Sequence, residues 1–261
     1  MLVRTWNLFH GNSVPPQRRA FLDAMIALAT ADDPDVLCLQ EVPAWALDRF
    51  SAGGLAARPT VGPLPVSAGI GRTLTGLNHG QLRSAFSGQG NAIHVSDRLK
   101  VLEHRTVTLN PGRFRRAKAR ELGLGRAARF AWAKERRIAQ AVRLETAAGS
   151  TVLVCNLHAT SSPDRRLPDA ELLRAAWFAC STAAPGDVVV LAGDFNVTAG
   201  ESPTLRALST GEWGFTAAGP GIDHVLVRGA AATAEVCWPE ERRRHRGAVL
   251  SDHAPVEVTL T

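Results

Sequence analysis

The sequence predicts an α+β fold in which two β-sheets pack against each other and helices cover their outer faces. The first observation is that short apolar segments with strand-like patterning dominate the chain, while only a few segments have helical spacing. The second is that these helical segments do not alternate regularly with the strands, as they would in a doubly wound parallel sheet. The third is that the 261 residues, 45% of them hydrophobic, contain no internal repeat and no linker, so residues 1–261 are predicted to form a single domain.

The N-terminal half begins with an alternating segment at residues 2–8, which predicts a strand. Apolar residues at helical spacing predict a helix over 21–29, ended by Asp33 and Pro34. The apolar segment 35–40 predicts a buried strand, and a short helix is expected from Pro43. In the rest of this half, we expect loops and short antiparallel strands at 51–90, followed by strands at 91–95 and 101–109.

A basic segment at about 111–137 separates the two halves. Arginine and lysine far outnumber acidic residues there, and Phe114, Phe130 and Trp132 lie among them. The segment is either a mobile basic insertion or an exposed helix. Interleaved aromatic residues favour contact with a nucleic acid or another anionic partner, whereas a run of charges is also typical of a solvated surface.

The C-terminal half predicts further strands and two helices. The longer helix contains Trp177, which its spacing assigns to the core. The segment 240–246, EERRRHR, is expected to be a solvated loop. The elements are strands at 138–144, 150–157, 188–191, 223–227, 233–238 and 255–260, and helices at 164–184 and 203–208.

The chain is organised around the segment 187–196, DVVVLAGDFN. Its four consecutive apolar residues predict a strand buried on both faces. Gly193 permits a crowded backbone at the strand end, and alternation places Asp194 and Asn196 on one side with Phe195 turned away. A carboxylate and an amide on a rigid strand end are suited to contact a phosphate or a metal.

Polar residues of catalytic type end the other apolar segments as well. Strand ends at one edge of a sandwich are neighbours, so these side chains are expected to converge. Glu41 and Asp252, with help from Asn7, offer oxygen ligands for a hard divalent cation such as Mg²⁺. Two histidines supply proton transfer near neutral pH, and Asp223 is placed to orient one of them. The set indicates metal-assisted hydrolysis at a phosphate and consists of Asn7, Glu41, Asn156, His158, Asp194, Asn196, Asp223, Asp252 and His253.

Seven motifs in order along the chain resemble those of the endonuclease/exonuclease/phosphatase superfamily, the deoxyribonuclease I-like fold. The resemblance implies a four-layer α/β/β/α sandwich of two packed mixed β-sheets flanked by helices. The motifs are TWNLFHG (5–11), LQEV (39–42), GNAI (90–93), NLHAT (156–160), GDFN (193–196), GIDHVLV (221–227) and LSDHAPV (250–256).

The resemblance also implies roles for single residues. Glu41 would be the main ligand of one or two Mg²⁺ or Mn²⁺ ions, with Asn7 and Asp252 nearby. Asp194 and Asn196 would position the scissile phosphate and the attacking water.

Further roles follow from the same resemblance. His253, paired with Asp223, would act as a general base or a charge stabiliser, and His158 would protonate the leaving oxygen or bind phosphate. The phosphate-binding residues are expected to be Asn156 and a family arginine corresponding to Arg136 or Arg137.

Two differences from the family pattern narrow the choice among the branches of the superfamily. The chain contains no tyrosine, and NLHAT carries His158 where the abasic-site repair branch has a different motif. We therefore expect a phosphodiesterase branch, with a nuclease acting on DNA or RNA first. The alternatives are a phosphatase or phospholipase C-type enzyme for inositol phosphates or sphingomyelin and, from another class, a catalytically silent binding module.

Composition bears on partner and compartment. A net charge of +6 and a pI near 9.9 suit a polyanionic partner, although the excess of arginine over lysine also fits a compositional bias. The four scattered cysteines are expected to be reduced, which favours the cytoplasm, and the sequence from Met1 shows neither a signal peptide nor a membrane span. Secretion is left open, and a monomer is expected. The histidines at 10, 79, 94, 104 and 245 are expected on the surface or in loops, and His224 is expected to face away from Asp223.

Overall fold

The computed structural model describes residues 1–17, 21–53, 58–61, 88–210 and 212–261. Most of the segment predicted as loops and short strands, with His79, lies outside these residues. The strands in the described part are β1 Leu2–Asn7, β2 Ser13–Val14, β3 Val36–Pro43, β4 Arg58–Val61, β5 Gln89–Val95, β6 Lys100–Thr108, β7 Ile138–Glu145, β8 Thr151–His158, β9 Val188–Asp194, β10 Asp223–Arg228, β11 Val236–Cys237, β12 Arg244–His245, β13 Ala248–Leu250 and β14 Val256–Thr259.

Helices are fewer. The α-helices are α1 Leu22–Ala29, α2 Gly112–Glu121, α3 Arg126–Lys134, α4 Arg166–Thr182 and α5 Pro203–Ser209. Three 3₁₀ segments, Phe9–Gly11, Ala44–Gly53 and Glu240–Arg243, connect strands. None of the helices in the described ranges is both long and apolar enough to cross a membrane.

Two mixed sheets form the centre of the fold, as the sequence predicts. The first has the order β11-β14-β1-β3-β5-β4 and the second β10-β9-β8-β7-β6. In each sheet one central pair is parallel, β1 with β3 and β8 with β9, and the other pairs are antiparallel. A small sheet, β12-β13-β2, lies beside them.

Alternation along the strands divides the core into three layers. Valines such as Val3, Val154 and Val190 fill the space between the sheets. The opposite faces carry Leu39 and Leu157, which lie in separate clusters that pack against α1 and α4, respectively. The result is a four-layer α/β/β/α sandwich.

The same alternation places the polar strand ends on the face between the sheets. Asn7 shares the parity of Val3, and His158 that of Val154. His158 is aligned with Asp194 in the parallel β8–β9 pair, and Asp194 is aligned with Asp223 in the antiparallel β9–β10 pair. The polar residues therefore gather at one edge of the inter-sheet core.

Gly193 is required by close approach of the neighbouring strand. Its φ is +136°, and a Cβ at this position would lie 1.9 Å from the carbonyl oxygen of Leu157. Any side chain would separate β8 from β9 just before His158 and Asp194.

The basic segment is an ordered helical pair. Helices α2 and α3 share a buried cluster in which Ala119, Leu124 and Trp132 pack against Leu167 and Ala170. The apolar side of each helix is thus used in packing, which makes the expectation of a mobile insertion wrong.

Several expectations for the C-terminal half also need correction. Trp177, assigned to the helix core, is 62% exposed, because it lies on the outer side of α4. Only Val236–Cys237 of the strand predicted at 233–238 is a strand. Arg243, in the segment expected to be solvated, is buried and donates to the carbonyl oxygens of Leu250, Ser251 and His253.

Candidate active site

A cleft of about 390 Å³ opens at the edge where the polar strand ends meet. Its walls come from both sheets and from α3. The lining residues are Phe9, His10, Glu41, Gln89, Ala131, Lys134, Glu135, Arg137, His158, Thr160, Ser161, Asp194, Asn196, Asp252 and His253.

His253 and Asp223 form a close polar pair at this edge. His253 Nδ1 lies 2.7 Å from Asp223 Oδ2, with the imidazole donating and the carboxylate accepting. Burial lowers the pKa of His253, but the hydrogen bond and charge of Asp223, with the charges of Asp194 and Asp252, outweigh it and raise the pKa to about 10. His253 is therefore in its protonated, positively charged form when no cation is bound to these carboxylates.

The loop that carries His253 is fixed by four hydrogen bonds. Trp6 Nε1 donates to the His253 carbonyl oxygen at 2.9 Å, and Arg243 Nη1 donates to the same oxygen at 3.0 Å. Ser251 Oγ donates to the Asn7 carbonyl oxygen at 2.7 Å and accepts from the His253 backbone N–H at 3.0 Å. The imidazole is thus held from β1 and from the loop itself.

Asp194 lies at the centre of the cleft. Asn7 Nδ2 donates to Asp194 Oδ2 at 3.0 Å, and the backbone N–H of Asn196 donates to Oδ1 at 2.9 Å. His158 Nε2 and His253 Nε2 lie 3.5 and 4.0 Å from Oδ2. Burial, followed by repulsion from Asp223, raises the pKa of Asp194 above its usual range.

Glu41 projects into the cleft from a bulge in β3. The bulge falls between Leu39 and Val42, and Glu41 has a φ of +50°. Glu41 Oε2 lies 3.1 Å from His10 Nε2, and Oε1 lies 3.8 Å from His158 Nε2. Burial would raise the pKa of Glu41, but the charge of His10 and its hydrogen bond, together with the charge of Arg137, hold it well below its usual range.

His10 was expected on the surface or in a loop without a functional context, and this expectation is wrong. It is buried, lines the cleft and contacts Glu41 through Nε2. Its φ of +55° turns the chain directly after β1 and sends the ring towards β3. The available signal was its position in TWNLFHG, three residues after Asn7.

His158 contacts Arg137, the residue just before the neighbouring strand β7. Arg137 Nη1 lies 2.9 Å from His158 Nδ1 and 3.2 Å from Nε2, and Arg137 also forms an ion pair with Glu135. Burial and then the Arg137 charge lower the pKa of His158 well below its usual range. His158 is therefore neutral near neutral pH, which suits a hydrogen-bonding role better than proton donation.

The remaining cleft residues occupy opposite walls. Asn196 Nδ2 donates to the Ala159 carbonyl oxygen at 3.0 Å, which leaves its amide oxygen towards the cleft wall. The Asp252 side chain is 45% exposed and lies 4.0 Å from His253 Nε2. Burial raises the pKa of Asp252.

Four predicted residues do not line the cleft: Asn7, Asn156, Asp223 and Arg136. Asn156 is fully buried between the sheets, where Nδ2 donates to the carbonyl oxygens of Leu39 and Ala92, both at 3.0 Å, and Oδ1 accepts from Gln40 at 2.8 Å. Its predicted phosphate contact is therefore wrong, because both ends of its amide are used within the core. Asn7 is 1% exposed and lies behind Asp194.

Of the two candidate arginines, the structure brings only one to the cleft. Arg137 lines it, whereas Arg136 is exposed and donates to Thr108 Oγ1 at 3.1 Å. Among the other histidines, His224 faces away from the cleft as expected, with its ring against Phe195 and Nδ1 3.3 Å from Glu235 Oε2.

The donor set fits a divalent cation. The carboxylates of Glu41, Asp194 and Asp252 line one cleft, and hard oxygen donors of this kind are the ligands that Mg²⁺ and Mn²⁺ prefer. Ligand atoms of Asp194, Asp223 and His253 also lie within 4.8 Å of one another. In addition, Asp223 Oδ1 is buried without a hydrogen-bond partner. A cation here would offset the cost of burying several carboxylates together.

Comparison with known proteins gives one family. Residues 5–253 match the sequence model of the Endonuclease/Exonuclease/phosphatase family. No curated protein matches the chain.

Solved structures share the fold. A functionally unknown conserved protein from Enterococcus faecalis is 15% identical with a TM-score of 0.66, over 100% of this chain and 99% of that chain. Truncated TDP2 from Caenorhabditis elegans is 20% identical with a TM-score of 0.59, over 99% and 96% of the two chains. The human Nocturnin catalytic domain with bound sulfate anion is 16% identical with a TM-score of 0.59, over 100% and 94%.

Proposed function

Because the chain belongs to the endonuclease/exonuclease/phosphatase family and is a metal-dependent phosphoric ester hydrolase, we propose that it hydrolyses phosphodiester bonds in DNA or RNA. The observation that carries the proposal is that Asp194 lies between two histidines of opposite protonation in a cleft lined by carboxylates. In such a site, the carboxylates can hold a cation while the histidines contact the phosphate.

The cation would be Mg²⁺ or Mn²⁺, held by Glu41 and Asp252, with Asn7 orienting Asp194 from behind. When bound, it supplies positive charge that offsets the charge developing on the phosphoryl oxygens.

The other roles in the reaction belong to side chains of the protein. Asp194, whose pKa is raised, orients the attacking water and accepts its proton, with the Asn196 amide beside it. The water attacks phosphorus in line as the bond to the leaving oxygen breaks. Protonated His253, oriented by Asp223, stabilises the developing negative charge. Neutral His158 and Arg137 hydrogen-bond the phosphate from the other side.

Charge supports a nucleic acid as the substrate. The net charge is +6, and α3, which carries part of the basic segment, forms one wall of the cleft through Ala131 and Lys134. A lipid or an inositol phosphate would be hydrolysed by the same phosphoric ester chemistry, but none of the described residues specifically favours such a substrate. A catalytically silent binding module would not be expected to keep the complete set of cleft groups.

The test is hydrolysis of bis(p-nitrophenyl) phosphate, oligodeoxynucleotides, oligoribonucleotides, inositol phosphates and sphingomyelin side by side, with Mg²⁺, with Mn²⁺ and with EDTA. We expect EDTA to abolish activity and Glu41→Gln to lower kcat/KM about 100-fold or more. The matched control is Glu103→Gln, since Glu103 lies on β6 and does not line the cleft. Equal activity of the two variants, or full activity in EDTA, would contradict the site. Preference for the lipid or inositol substrates would contradict the substrate class.

A further inference from the structure

A second cleft, of about 260 Å³, lies between α2 and α3. Four of its eight lining residues are arginines, and the buried Trp132 also lines it. We call it the arginine cleft; its lining residues are Gly112, Arg115, Arg116, Ala119, Arg120, Arg129, Trp132 and Ala133.

The charges of the arginine cleft have no acidic counterpart in the described part of the chain. Lys118 pairs with Glu121 on the same helix, but none of Arg115, Arg116 and Arg120 forms an ion pair with a described residue. Two of the guanidinium groups nevertheless lie near the same backbone position, Gly112. A Cβ on Gly112 would lie 3.4 Å from Arg116 Nη1 and 3.9 Å from Arg115 Nη2. Like charges held this close favour binding of an anion, and guanidinium groups match the geometry of phosphate.

The arginine cleft is built on a rigid support. Trp132 Nε1 donates to the buried carboxylate of Glu171 on α4 at 2.7 Å, and its ring packs edge-on against Phe114. Glu171 also accepts from the backbone N–H and the hydroxyl of Thr160, at 2.6 and 2.8 Å, and Thr160 lines the catalytic cleft. The helical pair is therefore fixed relative to the catalytic cleft by one buried carboxylate.

Helix α3 separates the two clefts. Ala131 and Lys134 face the catalytic cleft, whereas Trp132 and Ala133 face the arginine cleft. The distance across is about one helix diameter, ~10 Å. A strand that passes from the catalytic cleft over α3 to the arginine cleft would therefore need to be only a few nucleotides long.

An exposed aromatic ring on α3 favours a nucleic-acid strand over a small anion. Phe130 is 78% exposed and lies one turn before Lys134, on the side of the catalytic cleft. Exposed aromatic side chains beside a cationic groove are the usual surface on which bases of single strands stack.

We propose that the arginine cleft binds a phosphate group of a single-stranded nucleic acid a few nucleotides away from the phosphate that is cleaved. This inference rests on the proposed function, because it adds a second contact to the same substrate. The enzyme then prefers substrates long enough to reach both clefts, and a model diester or a dinucleotide gains nothing from the second one.

The test compares two double variants that each remove two positive charges. Arg116→Gln/Arg120→Gln changes the arginine cleft, and Arg113→Gln/Arg126→Gln is the matched control on the same helices, since Arg113 and Arg126 are exposed and do not line it. Binding of fluorescein-labelled oligothymidylate and oligouridylate, twelve nucleotides long, is measured by anisotropy in EDTA at several salt concentrations. Hydrolysis of the same strands, of dinucleotides and of bis(p-nitrophenyl) phosphate is measured with Mg²⁺.

We expect the cleft variant to raise the Kd for the long strands about tenfold and to reduce the salt-dependence slope by roughly 1, with a similar loss in kcat/KM. The control variant should change the Kd less than about threefold, and hydrolysis of the dinucleotide and the model diester should be unaffected in both. Equal losses in both variants, or no loss in the cleft variant, would overturn the inference. The long strands could show the expected effect of the cleft variant on Kd while no diester is hydrolysed. In that case the proposed function is wrong, and the inference that the arginine cleft binds a nucleic-acid phosphate is retained.

Discussion

His253 Nδ1 lies 2.7 Å from Asp223 Oδ2, while the Nε2 of the same ring lies 4.0 Å from Asp194 Oδ2. One imidazole thus connects a carboxylate behind the cleft with a carboxylate inside it. The first contact fixes the orientation and protonation of the ring, and the second directs its other nitrogen towards the cleft.

Replacing Asp223 with Asn tests this relationship. The amide keeps the size of the side chain but removes the charge that keeps His253 protonated, so we expect kcat on bis(p-nitrophenyl) phosphate to fall ~10²- to 10⁴-fold. Thermal unfolding should change little, because the new side chain fits the same space. A kcat within threefold of the wild-type value would remove Asp223 and His253 from the proposed mechanism.

His10 is predicted to position Glu41. His10→Asn removes the 3.1 Å contact with Glu41 Oε2, and asparagine tolerates the φ of +55° at this position. We expect the Mg²⁺ concentration for half-maximal activity to rise ~10-fold or more, with a smaller effect on kcat at saturating Mg²⁺. His245→Asn, at a histidine that does not line the cleft, is the control. An unchanged Mg²⁺ dependence would mean that His10 has only a structural role.

Asn156 is predicted to stabilise the sandwich and not to bind substrate. Asn156→Leu leaves the carbonyl oxygens of Leu39 and Ala92 without their donor between the sheets. We expect the free energy of unfolding, measured in urea, to fall by roughly 2–4 kcal/mol, with KM unchanged for the protein that remains folded. A raised KM at unchanged stability would instead support a phosphate contact.

Glu171 is predicted to anchor the helical pair of α2 and α3. Burial raises its pKa even though Trp132 and Thr160 donate three hydrogen bonds to it. Glu171→Leu leaves these buried donors unsatisfied, so we expect a loss of about 2–4 kcal/mol in the free energy of unfolding and weaker binding of oligothymidylate. Glu171→Gln, which retains one acceptor oxygen, should lose less. Equal stability of wild type and Glu171→Leu would show that the anchor contributes nothing.

Asp187 is predicted to make stability depend on pH in the acid range. Hydrogen bonds from Arg143, opposed by burial and assisted by Thr151 and the backbone N–H of Ala184, lower the pKa of Asp187 to about 2. A carboxyl whose pKa is lowered on folding stabilises the protein above its unfolded pKa of about 3.9, and this contribution is lost as the pH falls towards 2. The difference in unfolding free energy between wild type and Asp187→Asn should therefore be constant above about pH 5 and shrink below about pH 4. A difference that does not change with pH would contradict the assignment.

Much of the candidate site could be predicted because strand ends can be recognised locally. The apolar run before Asp194 and the alternation before Asn7 identify where each strand stops, and two-residue periodicity identifies the side chains that share a face. The predictions were wrong at residues whose position does not follow from the periodicity of the sequence. His10 reaches the cleft through a left-handed turn, and Trp177 lies on an apolar helix whose outer side remains exposed.

The sequence by itself determined the order of strands and helices, the residue types at each strand end and the excess of positive charge in 111–137. Only the tertiary structure decided that Asn156 turns its amide into the core while His158, two residues later on the same face, reaches the cleft. It also decided that the arginines of α2 and α3 line a cleft of their own. The physical reason is that local periodicity fixes which way a side chain points, whereas its partner depends on the element that packs opposite, and that element lies far away in the sequence.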